Sequence, residues 1–306
     1  MKNFQVWALC AAALGMPAQA VVVSSGGPNN TAPAGQPYFN NVGTLNGAST
    51  IYLESGWVLT ANHVASSLPA AVTFGGISYP TEPGSFHRLT NPAYSPTLST
   101  FTDMVLFRLS VAPPLPGVEI SSSTPTVGSQ VMLIGNGRTQ LSSPSFWDHT
   151  VVAGDNNDIW VETTEAMANR SGFKTTATNE IRWGENLVNN NNLIVNVGTT
   201  VDPVHVISFT TQFNAPGLAE EAQAVVGDSG GAVFSNTGTS WVLSGMMFAV
   251  RTFDSQPGGS TTAMFGTETA IADLSFYRPE ILAIIPEPST MMFAVLGGLA
   301  VFRRRR

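Results

Sequence analysis

Short runs of strand-forming residues, each stopped by Gly, Pro, Ser or Asn before it reaches helix length, constrain the fold of this 306-residue chain more than any other feature. Ser49-Thr50-Ile51-Tyr52-Leu53 and Trp57-Val58-Leu59 are split by the turn Glu54-Ser55-Gly56, and Ala71 to Phe74, Met104 to Leu109 and Gln130 to Ile134 follow in the same style. Regular short strands with turn signals predict an all-β sandwich or barrel. The stretch from Val151 to Pro203, with Asn156-Asn157 and Asn189 to Asn192, reads as turn-rich surface loops with a hairpin. Ser275 to Ile285 reads as a short helix capped by Ser275, with Pro279 near its first turn and an apolar stripe of Ile281, Leu282 and Ile285.

Such a fold needs a core that stands without staples. Met1 to Ala20 has the form of an export leader: Lys2 near the start, an apolar stretch from Phe4 to Leu14, and Ala18-Gln19-Ala20 as a small-residue cleavage site for signal peptidase. The single cysteine, Cys10, lies inside it, so the mature chain contains no disulfide although it is exported. The remaining length is enough for a sizeable core held by burial alone. The net charge is −7 and becomes more acidic once the leader and the arginine-rich tail are gone, which argues against nucleic acid as a partner. His87, His149 and His205 are scattered without metal-ligand spacing, so neither metal nor cofactor is expected.

Three distant segments carry chemistry. Leu59-Thr60-Ala61-Asn62-His63, Thr102-Asp103-Met104-Val105-Leu106 and Gly227-Asp228-Ser229-Gly230-Gly231 supply a histidine, an aspartate and a serine in that order. A serine hydroxyl attacks a carbonyl at neutral pH only if an imidazole takes its proton, and the imidazole works best when its other nitrogen donates to a fixed carboxylate. Glycine beside the serine allows backbone N–H groups to approach the developing oxyanion.

In order and local context these segments resemble the trypsin-like serine proteases. The resemblance implies two six-stranded antiparallel β-barrels of chymotrypsin type with a short C-terminal helix. The first barrel runs over about 21–115, the second over about 116–285, and Ala112-Pro113-Pro114-Leu115-Pro116 begins the linker. It implies Ser229 as nucleophile, His63 as base, Asp103 as the residue orienting His63, and the N–H groups of Gly227 and Ser229 as oxyanion donors. Asn62 and Ala232 depart from the common family pattern, as does the long gap between Asp103 and Ser229. On the same alignment Gln223 lies at the base of the primary specificity pocket, and Phe248 and Val250 line it. The absence of a carboxylate at 223 predicts a preference for small or medium uncharged side chains. Asp228 would pair with a new N-terminal ammonium at Val21, created when the leader is removed.

The C-terminus carries a second signal. Pro286-Glu287-Pro288-Ser289-Thr290, an apolar run from Met291 to Phe302 and then Arg303 to Arg306 resemble the PEP-CTERM sorting signals of Gram-negative bacteria. Residues 286–306 would then be read by an exosortase-type enzyme, with a transient stay in the inner membrane before release to the cell surface or medium. Four arginines suit the cytoplasmic side. Twelve helical residues rise about 18 Å against a hydrocarbon core of about 30 Å, so flanking residues and arginine snorkelling complete the span.

The sequence therefore predicts a secreted serine endopeptidase acting on protein or peptide substrates through an acyl-enzyme. The alternatives are a catalytically inactive matrix or adhesion protein on the same fold, and an esterase using the same three residues.

Overall fold

The computed structural model describes residues 21–92, 97–154 and 157–285, together with the backbone of Ala8–Leu9, which runs antiparallel to Ala249 and Val250. The expected sorting tail, 286–306, and all but those two residues of the expected leader lie outside the described residues. Among the described residues no helix is long and apolar enough to cross a membrane.

The first half is a curled antiparallel sheet of β1 (Val42–Leu45), β2 (Ala48–Tyr52), β3 (Trp57–Ala61), β4 (Ala71–Phe74), β5 (Ile77–Pro80), β6 (His87–Thr90) and β7 (Phe101–Arg108), in the order β5-β4-β1-β2-β3-β7-β6. Its tight turns are written locally. Asn46-Gly47 (φ 49° and 75°) joins β1 to β2 and Gly75-Gly76 (φ 55° and 80°) joins β4 to β5, two-residue loops with the left-handed backbone that matches strand twist. The sheet closes on itself at a corner. Ile77–Pro80 pairs with β4, while Thr81 bridges Leu109 and β6 continues along the edge of β7, so the two short strands together complete a six-membered ring.

The second half is a closed ring of β8 (Gln130–Gly135), β9 (Arg182–Asn196), β10 (His205–Gln212), β11 (Ala232–Asn236), β12 (Trp241–Arg251) and β13 (Glu268–Asp273), in the order β12-β11-β8-β9-β10-β13, with β13 pairing back to β12. Two β-rings followed by one helix form the chymotrypsin-like double barrel. A buried apolar cluster spans both rings, from Ile51, Leu59, Met104 and Leu106 in the first to Met132, Phe234, Leu243 and Phe248 in the second.

Two sequence expectations need correction. The region 151–203 is not turn-rich loop: it contributes β9, the longest strand among the described residues, and part of a smaller sheet made of Arg138–Gln140, Ser145–Thr150, Ile159–Glu162, Arg170–Asn179 and Thr262–Met264. Asn189 to Asn192 lie inside β9, where register shifts and a left-handed Asn192 (φ 53°) absorb them as bulges. Their amides bond outward, Asn189 to Glu268 at 2.7 Å and Asn191 to the Pro125 carbonyl at 3.0 Å. The helix, α1 (Leu274–Ile284), is capped by Asp273 rather than Ser275, because the Asp273 carboxylate accepts the Ser275 N–H at 3.0 Å. Pro279 sits inside α1 rather than in its first turn. Ile281 and Ile285 are buried as the stripe required, and Leu282 is half-buried.

Candidate active site

The end of β3 delivers His63. The chain leaves the strand through a turn in which the N–H groups of Val64 and Ala65 return to the Ala61 carbonyl, and this holds Asn62 and His63 out over β7. Asp103 on β7 then meets His63 twice: Oδ2 lies 2.6 Å from His63 Nδ1, and Oδ1 accepts the His63 backbone N–H at 3.0 Å. A third bond, Asn62 N–H to the Asp103 carbonyl at 3.1 Å, ties the same two segments. The pair is shielded, with side-chain exposures of 10% and 3%. The Nδ1 contact fixes the ring's orientation and leaves Nε2, which is buried and without a hydrogen-bond partner.

Ser229 stands on the loop between β10 and β11, docked against the first barrel by residues that sequence reasoning did not single out. The Ser49 N–H donates to the Ser229 carbonyl at 3.0 Å, and the Ser49 hydroxyl donates to the Gly227 carbonyl at 2.9 Å while accepting the Asn136 N–H at 2.8 Å. Thr60, three residues before His63, donates its hydroxyl to the Ser49 carbonyl at 2.8 Å. Gly230 (φ 82°) presses on this junction, where a Cβ would overlap the Ser49 carbonyl and the Thr60 hydroxyl. The serine loop and the strands leading to His63 therefore share one packed junction. Small polar residues in a strand carry no distinguishing pattern, so only Gly230 hinted at it.

The Ser229 side is less complete than the histidine side. Ser229 Oγ, like His63 Nε2, is buried with no hydrogen-bond partner, so no hydrogen bond joins the two. Gly227 takes a left-handed backbone (φ 95°), and neither its N–H nor that of Ser229 donates to an acceptor among the described residues. Asp228 is fully buried. One oxygen accepts the Val225 N–H at 2.8 Å; the other, Oδ1, has no partner and occupies the space that a Cβ on Gly135 would fill. Burial pushes its pKa well above the carboxylate range, opposed by the Val225 N–H and by the charge of Arg182.

Val21 is fully buried in an apolar cluster that includes Leu133 and Met247, and the Met247 methyl borders the same space over Gly135. Val22 and Val23 pair with Gln223 and Ala222, and Gln140 grips Val23 through both its amide atoms at 2.6 Å. Gln223, Phe248 and Val250 are all buried, and Gln223 Oε1 has no partner. A cavity of about 490 Å³ lies elsewhere, between the insert sheet and the residues around Phe213 and Gly266. The remaining histidines are held locally: His205 Nδ1 accepts the Ser99 N–H at 2.9 Å, His149 Nε2 contacts Asp158 at 2.8 Å, and His87 packs on Trp57.

Residues 285–306 match the PEP-CTERM protein-sorting motif. No curated protein sequence matches this chain. Among solved structures, the chain is similar to the Rv3671c protease in an inactive form, at 12% identity and a TM-score of 0.46, covering 81% of this chain and 90% of that one. A mutant of Rv3671c from M. tuberculosis H37Rv gives 13% and 0.45, covering 88% and 98%. An inactive mutant of the murine norovirus NS6 protease gives 13% and 0.41, covering 77% and 93%.

Proposed function

We propose that this chain is an exported serine endopeptidase, with Ser229 as nucleophile, His63 as general base and Asp103 as the residue that orients it. The 2.6 Å contact between His63 Nδ1 and Asp103 carries the reading, because it leaves Nε2 as the ring's unpartnered basic atom, three residues after Thr60, whose hydroxyl bonds Ser49 at the junction with the serine loop. His63 takes the Ser229 proton as Oγ attacks the scissile carbonyl, then returns it to the leaving amine. The imidazolium formed in between is stabilised by Asp103. The free N–H groups of Gly227 and Ser229 stabilise the oxyanion. Water then hydrolyses the acyl-enzyme by the same route.

Export fits the leader and the sorting motif. In this reading an exosortase-type enzyme recognises the tail, and removal of the leader frees the Val21 ammonium to pair with Asp228 Oδ1, which otherwise stays a buried, half-satisfied acid. The uncharged, buried lining at Gln223, Phe248 and Val250 suits small or medium uncharged side chains.

A fluorophosphonate probe applied to the exported protein tests the assignment. Labelling that disappears in Ser229→Ala is the expected result. A well-folded wild type that takes no label would instead support the non-catalytic matrix reading, which draws on the unformed bond between His63 and Ser229.

A further inference from the structure

The two halves of the proposed site belong to different barrels, so the distance from His63 to Ser229 depends on how the barrels are held. Apolar packing between them is non-directional, whereas hydrogen bonds fix position along the contact. A polar seam of this kind runs beside the strand that carries Asp103. Its centre is the hydroxyl of Tyr277, a buried residue of α1. That oxygen accepts the Ile207 N–H from the second barrel at 2.9 Å and donates to Asn91 Oδ1 in the first barrel at 2.8 Å. It also lies 3.4 Å from the hydroxyl of Thr102, the residue before Asp103.

The seam continues on both sides of Tyr277. The Asn91 amide donates to the His205 carbonyl at 3.0 Å, and the Asn91 N–H donates to the Thr100 carbonyl at 2.9 Å. Ser99 and His205 exchange two bonds: Ser99 N–H to Nδ1 at 2.9 Å and His205 N–H to the Ser99 hydroxyl at 2.8 Å. One turn further along α1, Glu280 Oε2 accepts both the N–H and the hydroxyl of Thr90 at 3.0 Å, at the end of β6. The helix thus grips β6 and the loop leading into β7 while remaining part of the second barrel.

We infer that Tyr277 and Glu280 are positioning residues for the proposed reaction: by bolting β6 and β7 to β10, they set the separation of His63 and Ser229. The inference rests on the proteolytic reading. It also bears on processing of the tail, because α1 ends at Ile284 and the matched sorting motif begins at Ile285. A cut beyond Ile285 leaves the bolt in place.

Tyr277→Phe in the exported protein removes the shared hydroxyl and keeps the ring. The expected result is a kcat lowered about ten- to a hundredfold with KM within about twofold, since misplacement acts on the chemical step. Val72→Ala, a cavity change in the first-barrel core, serves as a stability control and should leave kcat nearly unchanged at a temperature where both variants are folded. Glu280→Gln, which keeps one acceptor for Thr90, should retain most of the activity that Glu280→Ala loses, and this pair carries the test if Tyr277→Phe does not fold. Hydrogen exchange provides a readout independent of turnover: the Asn62 and His63 amides, both bonded to Asp103, should exchange faster in Tyr277→Phe and not in Val72→Ala. An unchanged kcat together with unchanged exchange at those amides overturns the inference. Faster exchange in a protein whose wild type takes no fluorophosphonate label would uphold the bolt and reject the proteolytic reading.

Discussion

Two histidines in this molecule each make a short contact with an aspartate, in different surroundings. His63 meets Asp103 through Nδ1 at 2.6 Å, and His149 meets Asp158 through Nε2 at 2.8 Å. Both pairs are nearly withdrawn from solvent. His149, however, stacks on Trp160 with ring centres 4.0 Å apart and packs against Phe253, in the sheet formed by the insert. The Trp160 indole N–H in turn holds the Asp254 carbonyl at 2.9 Å. That pair pins a hairpin to a loop. His63 instead has an unpartnered Nε2 and closely follows Thr60, whose hydroxyl joins Ser49 at the junction with the serine loop. A short His–Asp contact is therefore not a catalytic signature by itself; what the second ring nitrogen can reach decides its use.

The sharpest way to break this comparison is to make the same change in both pairs. Asp103→Asn should lower kcat by about 10⁴-fold while the protein stays folded, because the amide favours the wrong tautomer of His63. Asp158→Asn should leave kcat unchanged. Equal kinetic losses from the two substitutions would erase the distinction drawn here. Next in size, Gly227→Pro removes a proposed oxyanion donor and forbids the left-handed backbone at that position, and an activity loss of at least about 10² to 10³-fold is expected from steady-state kinetics.

Smaller effects appear in stability. Asp228 has a raised pKa in the folded state, so its ionised form opposes folding, and the stability it retains while protonated is lost as pH rises through that folded value. Asp228→Asn in the leader-bearing chain should raise the melting temperature at neutral pH, with the gain vanishing below the ordinary carboxylate pKa of about 3.9. If the melting temperature falls instead, Asp228 is compensated in a way its unpartnered oxygen does not suggest. The smallest effect concerns Asp158, whose pKa is held down chiefly by the bond from His149 and next by the Val152 N–H. A depressed acid stabilises above its unfolded pKa and loses that contribution as pH falls through the folded one. Asp158→Asn should therefore melt earlier than wild type at neutral pH, and the two curves should converge in acid.

The histidine side of the site was far more legible than its support. His63, Asp103 and the Gly227–Gly231 loop could be read because their chemistry restricts residue choice: a left-handed Gly227 and a Gly230 crowded against Ser49 leave little freedom. Ser49, Thr60 and Asn136, which join the serine loop to the first barrel, could not be read, since their importance comes from partners they meet only in the fold. The run Asn189 to Asn192 was misread for a related reason. Local preference favours a turn there, yet pairing with β8 up to Leu187 and with β10 from Val188 to Asn196 keeps β9 extended through two bulges.

The sequence by itself determined what is local: the short strands, the left-handed turns at Asn46-Gly47 and Gly75-Gly76, the sorting motif, and the candidate residues for the proposed chemistry. Tertiary structure alone decided what depends on partners far apart in the chain. The closure of each ring, the capping of α1 by Asp273, the bolting of the barrels through Tyr277 and the unpartnered state of Asp228 all arise from contacts between distant segments. Whether a buried polar atom finds a partner depends on which carbonyls and side chains folding brings within about 3 Å of it, and residue order along the chain does not encode that distance.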